Sequence, residues 1–412
     1  MTVDRAPLDA SDERGLLPEG IRAAAGNLVA RLRGGDLGAA PVIAGLLLIW
    51  IVFQLLNPNF LSSTNLVNLT MQSAALGTSA IGVVLVLLLG EIDISVGSVS
   101  GLASAILAVG YVQMGLPIAL VIVAALATGA LIGLAFGLLR TRFGVPSFII
   151  TLAGLLAILG FQLFVLGKTG SINIPFDSWI VQFGQQWFLP PWASYSLLGV
   201  SVLLFAVSQY SNSRRRDAAG LNSTSTMLIV VRSVVLLVVL GVAIWYLNLT
   251  RGVGAMFALF ISLAVVMHFV LTRTRWGRSV YAVGGNVEAA RRAGIRVNRV
   301  YISVFMLCSM FAALGGVFAA ARLAAANQGS GGADANLTAI AAAVIGGTSL
   351  FGGRGSAFSA VLGILVIMSI TSGLTLINPD SSIRYVITGA VLLFAVVIDS
   401  LSRRSRAAAG RA

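Results

Sequence analysis

Glu91 and Asp93 are the side chains of this sequence best placed to do chemistry. The apolar run from Val83 to Leu89 leads into them with only Gly90 between. An Asp at the centre of a bilayer costs about 2.5–3.5 kcal/mol on the insertion scale, so carboxylates beside such a run are paired, hydrated or functional. Two residues apart, the pair cannot share one helix face as an acid–base dyad, whereas Glu91 and Ser95, four apart, would share one. Three readings stand open. The pair ends a helix in water; it belongs to a pathway through the membrane; or Gly90 and Gly97 let the chain unwind, with Asp93 and Ser95 capping the next helix and satisfying its free N–H groups.

Other chemistries find less support. The stretch Gly346-Gly347-Thr348-Ser349-Leu350-Phe351-Gly352-Gly353 is rich in glycine but lacks the Gly-x-x-x-x-Gly-Lys-Ser/Thr pattern and its preceding strand, and reads as a tight turn between membrane helices. Gly167-Lys168-Thr169 echoes the end of that pattern, yet Gln162 stands where its first glycine belongs. No ATP site or other cofactor site is expected on this chain. His268 is the sole histidine and has no carboxylate near it in sequence, so it reads as packed or interfacial and no metal site is expected. Cys308, the single cysteine, lies in an apolar run, which excludes an internal disulfide and points to packing. No Ser/His/Asp set can be assembled. The sequence points to a pathway rather than an enzyme.

One polar segment interrupts the apolar chain at length, Trp276-Gly-Arg-Ser-Val-Tyr-Ala-Val-Gly284-Gly285-Asn286-Val-Glu288-Ala289-Ala290-Arg291-Arg-Ala-Gly294. Helix propensity favours 288–293, with Gly284, Gly285 and Gly294 as punctuation on either side. It reads as a short polar helix against the inner surface. On composition alone, a basic loop that only sets orientation fits as well.

These residues are held by a very apolar chain. Of 412 residues 58% are hydrophobic and 10% charged, with a mean hydropathy of +0.96, far from a soluble domain. At about 20 apolar residues per span, the segment from Ala39 to Ile398 holds ten to twelve crossings. They fall at about 40–56, 69–89, 95–112, 117–139, 145–166, 193–209, 227–247, 254–271, 300–320, 338–351, 357–377 and 385–399. The expected fold is an all-α integral membrane protein, a polytopic helical bundle in which 95–112 and 338–351 are broken or re-entrant. Residues 89–97 align without a gap to 345–353, and each segment follows an apolar run and precedes a Ser/Ala/Gly-rich helix. Such paired, glycine-interrupted segments point to a transporter binding region; here both would run inward, as a parallel repeat.

The net charge of +13 suggests nucleic acid only until the arginines are placed, for they lie in loops and tails. With the N-terminus inside, Arg140, Arg142, Arg214, Arg215, Arg216 and the seven arginines from Arg273 to Arg299 fall on one side. The other side receives only Lys168, Arg251, Arg322 and Arg384. Both termini are therefore expected in the cytoplasm, as a tail over 1–38 and a basic tail over 401–412. No nucleic-acid partner is expected, and membrane lipid is. Trp179, Trp187 and Trp192 in the longest outer connection read as interfacial anchors.

Four motifs in order resemble the permease subunits of bacterial ATP-binding-cassette monosaccharide importers of the ribose/xylose type: Gly90-Glu-Ile-Asp-Ile-Ser-Val-Gly-Ser98, Gly144-Val-Pro-Ser-Phe-Ile-Ile-Thr-Leu-Ala-Gly154, Gly277-Arg-Ser-Val-Tyr-Ala-Val-Gly-Gly-Asn-Val-Glu-Ala-Ala-Arg291 and Ala341-Ala-Ala-Val-Ile-Gly-Gly-Thr-Ser-Leu-Phe-Gly-Gly353. The resemblance covers about residues 40–400, and the extra pair of spans over 193–247 is similar to the xylose-type branch. It implies D-xylose or a related sugar as substrate, a second permease copy, a cytoplasmic ATPase that holds the ATP, and an extracytoplasmic sugar-binding protein. It also implies a bacterial inner-membrane location. Residues 284–294 would be the loop received by the ATPase, with Ala289 and Ala290 leaving room for close approach; Glu91, Asp93, Ser95, Gly97, Gly346, Gly347, Thr348 and Ser349 are the candidates for the pathway or its helix breaks. An ion-coupled secondary transporter using Glu91 and Asp93 is the competing reading, and a membrane-embedded transferase a weaker one.

Overall fold

The computed structural model describes residues 40–377 apart from 222, together with scattered positions between 380 and 393. The expected tails and most of the last expected span lie outside the described residues. Inside hydrocarbon every backbone polar group must be satisfied within its own segment, which turns long apolar runs into helices. Among the described residues, nine helices are long and apolar enough to cross a membrane, and two shorter apolar helices accompany them. The fold is an all-α polytopic bundle.

The chain divides into two compact units, a larger one from 38–188 and 253–404 and a smaller one around 189–252. The larger begins with α1 (Ala40–Leu56), α2 (Ser63–Leu88), α3 (Val96–Ala108, prolonged by a π-helical turn, Val109–Gln113), α4 (Ile118–Phe143), α5 (Ser147–Leu166), β1 (Ser171–Asn173) and α6 (Trp179–Gln185). The smaller is a hairpin of α7 (Pro191–Ala218) and α8 (Thr226–Leu247). The larger resumes with α9 (Ala255–Arg273), α10 (Arg275–Gly285), α11 (Val287–Arg292), α12 (Val297–Leu323), β2 (Ala325–Asn327), α13 (Ala333–Ile345) and α14 (Ala357–Ile377). The two short strands pair antiparallel with Ile172 opposite Ala326, an element not anticipated from the sequence.

A helix that is apolar all round belongs at the centre of a bundle, and α2 meets that condition: every residue from Ile81 to Leu88 is buried. Beside it α12 packs against α2, α3 and α4 at backbone distance. Gly129, Gly133 and Gly137, four residues apart on α4, face the backbone of α12 at Ser309, Phe305 and Ile302, the small-residue spacing by which membrane helices approach closely. A second, smaller core joins α1 to α14, where Phe53 stacks near Phe60 with centroids 5.3 Å apart and the Trp50 indole N–H donates to Ser369 Oγ at 2.9 Å.

The expected break within 338–351 is present. The helix ends at Ile345, because Gly347, Gly352 and Gly353 adopt φ of 99°, 85° and 71° and cannot continue it. Elsewhere helix limits follow the apolar runs, with turns set by residue type: Gly144 closes α4 at φ 68° and Pro146 precedes α5.

A Cβ at Gly133 would run into the Phe305 carbonyl and Met306 Cα, whereas one at Gly160 meets nothing within 4 Å. Gly133→Ala should therefore destabilise the purified protein by about 1–3 kcal/mol, and Gly160→Ala should be neutral or stabilising by about 0.5–1 kcal/mol. Thermal unfolding in one detergent, side by side, checks the opposite signs.

Candidate functional site

Between α2 and α3 the chain is not helical. It turns at Gly90, φ 74°, and residues 91–95 are not helical, with the Ile92 and Ile94 N–H groups turned away from any helical ladder. Backbone groups freed inside a membrane protein need other partners, and α5 supplies them. Ser147 Oγ accepts from the Ile92 N–H at 3.4 Å and Thr151 Oγ1 from the Ile94 N–H at 3.3 Å. These two hydroxyls stand one turn apart on a single face of α5. Because the segment is unwound, Glu91 and Ser95 do not share a helix face as a helical reading requires.

The acidic pair splits into two environments. Glu91 accepts from Arg140 Nε at 2.8 Å and from the Ser147 hydroxyl, while the Arg140 guanidinium lies over the Tyr301 ring, 5.2 Å from its centroid. Arg140, read from the sequence only as a marker of orientation, neutralises this carboxylate. Asp93 is 1% exposed. Its Oδ1 accepts from the Ser95 N–H at 2.8 Å and the Ser95 hydroxyl at 2.7 Å, and its Oδ2 faces Cys308 Sγ at 3.7 Å, near the middle of α12. No cation touches it among the described residues; the positive end of α3 lies two residues on.

The capping expectation is corrected in one respect. Ser95 makes no side-chain cap bond, and Asp93 Oδ1 accepts from Ser95 itself rather than from the first N–H groups within α3. The Gly97 N–H is taken by Asn336 Oδ1, from the first turns of α13. α3 and α13 thus start beside each other, and the preceding loop lies flat on α3: a Cβ at Gly331 would strike Gly97 and Gly101 backbone. Gln162, fully buried on α5, holds that loop by donating to the carbonyls of Asn327 at 3.1 Å and Ser330 at 2.9 Å.

At the other end of the unwound segment three chain segments meet without side chains between them. The Gly353 N–H donates to the Leu88 carbonyl at 2.9 Å. A Cβ at Gly284, in the last turn of α10, would overlap that same Leu88 carbonyl and come 2.8 Å from Gly353 N; one at Gly352 would come 2.6 Å from Gly284 O and 2.9 Å from Gly90 N. The two aligned segments of the internal repeat therefore touch each other, and the end of α10 touches both. Further ties fix α10: the Trp276 indole donates to Ser303 Oγ at 2.8 Å, and the Tyr281 hydroxyl to the Gly355 carbonyl at 2.8 Å. Burial pushes the Tyr281 pKa up, so it stays protonated as a donor.

The polar segment is two helices, not one. Gly284 and Gly285 end α10 rather than forming a loop, and Asn286 Oδ1 caps α11 by accepting from the Ala289 N–H at 2.9 Å. Glu288 and Arg291 pair at 2.8 Å on its exposed face, where Ala289 also lies, and Gly294 is exposed in the turn that follows. Ala290 is only 4% exposed; the expectation that it offers room to a partner is corrected, since its methyl packs inside this chain. Gly346 presses on the Ser359 backbone, Gly347 turns, Thr348 is buried with its hydroxyl unpartnered, and Ser349 Oγ accepts from the Phe351 N–H at 3.2 Å. These four build the second break; none of them touches Asp93.

With this geometry in place, comparison decides the family. Residues 65–396 match the family described as the permease component of branched-chain amino acid transport systems. The chain belongs to this permease family. The permease is 38% identical over 346 residues to the xylose transport system permease protein XylH of Escherichia coli K12, covering 84% of this chain and 87% of that one. It is 33% identical to the probable ABC transporter permease protein YphD of the same organism over 93% of this chain and 95% of that one. To the ribose import permease protein RbsC it is 32% identical, over 87% and 92%. No solved structure matches the permease.

Asp93→Leu should impair transport at least tenfold more than Asp177→Leu at equal membrane expression, because Asp93 organises the start of α3 while Asp177 lies in an exposed connection. Uptake of labelled sugar by cells carrying each variant checks the ranking.

Proposed function

We propose that this chain forms the translocation pathway of an ATP-driven importer for D-xylose or a related monosaccharide. The supporting observation is its 38% identity over most of its length to a protein named as a xylose permease. The family description speaks of amino acids, but XylH and RbsC, which match over most of this chain, are named for xylose and ribose. In this reading two copies line the path in the bacterial inner membrane with both termini cytoplasmic, a binding protein delivers sugar outside, and ATP is bound and hydrolysed on separate subunits. The ATPase would engage the exposed face of α11, and movement of α10 would reach both helix breaks through the glycine contacts. The substrate would pass near Asp93, Ser95 and Gly97. The ion-coupled alternative receives no support from these relatives, and Glu91, already paired with Arg140, is poorly suited to carry a coupling proton.

Trp at position 289 would stand on the exposed face of α11, whereas Trp at 290 would have to enter the core. Ala289→Trp should lower co-purified ATPase and D-xylose uptake together, by about tenfold or more, with permease abundance unchanged; Ala290→Trp should lower abundance itself. If Ala289→Trp leaves both ATPase association and uptake intact, α11 is not the docking element. Uptake in proteoliposomes driven by an ion gradient alone would overturn the ATP-driven reading.

A further inference from the structure

The smaller unit carries charge in a place the transport reading does not use. Few residues of α7 and α8 are buried, namely Ser194 and Leu198 on the first and Leu228, Ile229 and Leu247 on the second. The apolar faces of both helices, Leu203, Leu204, Val234, Val238 and Val242 among them, are exposed, and in a membrane such faces meet lipid. Exposed Trp192, at the start of α7, marks one interface. Arg214, Arg215 and Arg216 lie 22 to 24 residues further along the same helix, about 33–36 Å at the α-helical rise, close to the ~30 Å hydrocarbon thickness. They stand at the opposite headgroup level, all exposed and fanned around the helix by about 100° each.

Arg232 does not fit that level. It is six residues into α8, about 9 Å beyond a helix start that lies beside Ser213, whose hydroxyl donates to the Thr224 carbonyl at 2.7 Å, so it falls on the hydrocarbon side of the α7 arginines. It is exposed and has no hydrogen-bond or ion-pair partner among the described residues. It is the only charged residue of α8, and Asp217 is the only acid between 189 and 252 against Arg214, Arg215, Arg216, Arg232 and Arg251. A side chain leaves a helix tilted toward its N-terminus, so Arg232 leans back toward the start of α8. The arginines of α7, near its C-terminus, lean into the membrane by the same rule. Both sets aim at one level, the one occupied by lipid phosphate.

We propose that this end of the hairpin is a binding site for an anionic phospholipid, whose phosphate pairs with Arg232 and whose net negative charge is held by Arg214, Arg215 and Arg216. An arginine below the headgroup level near a helix end extends its guanidinium to the lipid phosphates, the hairpin offers no acid at that depth, and a basic cluster at the headgroup level favours anionic over zwitterionic lipid.

The test is retention of added phosphatidylglycerol and phosphatidylcholine by purified full-length permease, read by native mass spectrometry, for the wild type, Arg232→Gln and Arg251→Gln. Arg251 carries the same charge at the other end of the hairpin. The wild type and Arg251→Gln should retain phosphatidylglycerol in preference to phosphatidylcholine, and Arg232→Gln should lose that preference by about tenfold. Millimolar inorganic phosphate should not displace the lipid. Equal phosphatidylglycerol retention by wild type and Arg232→Gln would overturn the site, as would displacement by inorganic phosphate. Equal retention of the two lipids by the wild type would overturn the anionic selectivity. A triple Gln variant of Arg214, Arg215 and Arg216, measured the same way, should reduce the preference while leaving a folded protein, because these side chains lie outside any core; no change in preference would remove the cluster from the site.

Discussion

Contact between backbones, with no side chain to cushion it, is the constraint on which the arrangement depends. Where α2 ends, the Leu88 carbonyl accepts from the Gly353 N–H and lies against Gly284 at the end of α10. Packed side chains can slide and change rotamer, but backbone pressed on backbone moves as one body, because any added atom or displacement meets hard repulsion. Glycine is required here on steric grounds at Gly284 and on both steric and conformational grounds at Gly352, whose φ is 85°. The polar helices α10 and α11 are thereby joined to the starting points of both broken segments.

From that junction the unwound stretch 91–95 leads to α3, and its stability rests on polar groups lent by neighbours. Ser147 and Thr151 accept its N–H groups, Arg140 neutralises Glu91, and Asn336 accepts from the start of α3. A segment satisfied by side chains rather than by its own helical ladder can exchange partners at less cost than a helix can melt, since each such bond contributes about 0.5–1.5 kcal/mol net. Asp93, buried against Cys308 near the middle of α12, places a carboxyl group deep in the bundle.

The helical architecture was legible because apolar runs of span length admit little else, and the breaks because glycines with carboxylates or hydroxyls interrupt those runs. Ser147 and Thr151 were within view, four residues apart in the 144–154 motif, yet nothing in the local sequence says that their hydroxyls face a segment some 55 residues earlier. Gln162 carried a signal, a lone amide in an apolar helix, but its carbonyl partners on residues 327 and 330 are fixed only by tertiary structure. A basic residue at a helix end signals orientation by default, and the sequence around Arg140 says nothing more of it. The division between Ala289 and Ala290 escaped for another reason: on a helix of six residues no periodicity shows which face is inward. The β1–β2 pair, three residues in each strand, is too short to leave a pattern.

The junction itself is tested most directly by a pair of neighbouring substitutions. A Cβ at Gly284 overlaps the Leu88 carbonyl, and one at Gly285 meets nothing within 4 Å. Sugar uptake and sugar-stimulated ATP hydrolysis, measured on the assembled transporter with each substitution, should separate them: Gly284→Ala loses uptake by tenfold or more while ATPase subunits still co-purify, and Gly285→Ala behaves as the wild type. Undiminished uptake with Gly284→Ala would contradict the claim that a backbone contact joins the inner helices to the broken segments.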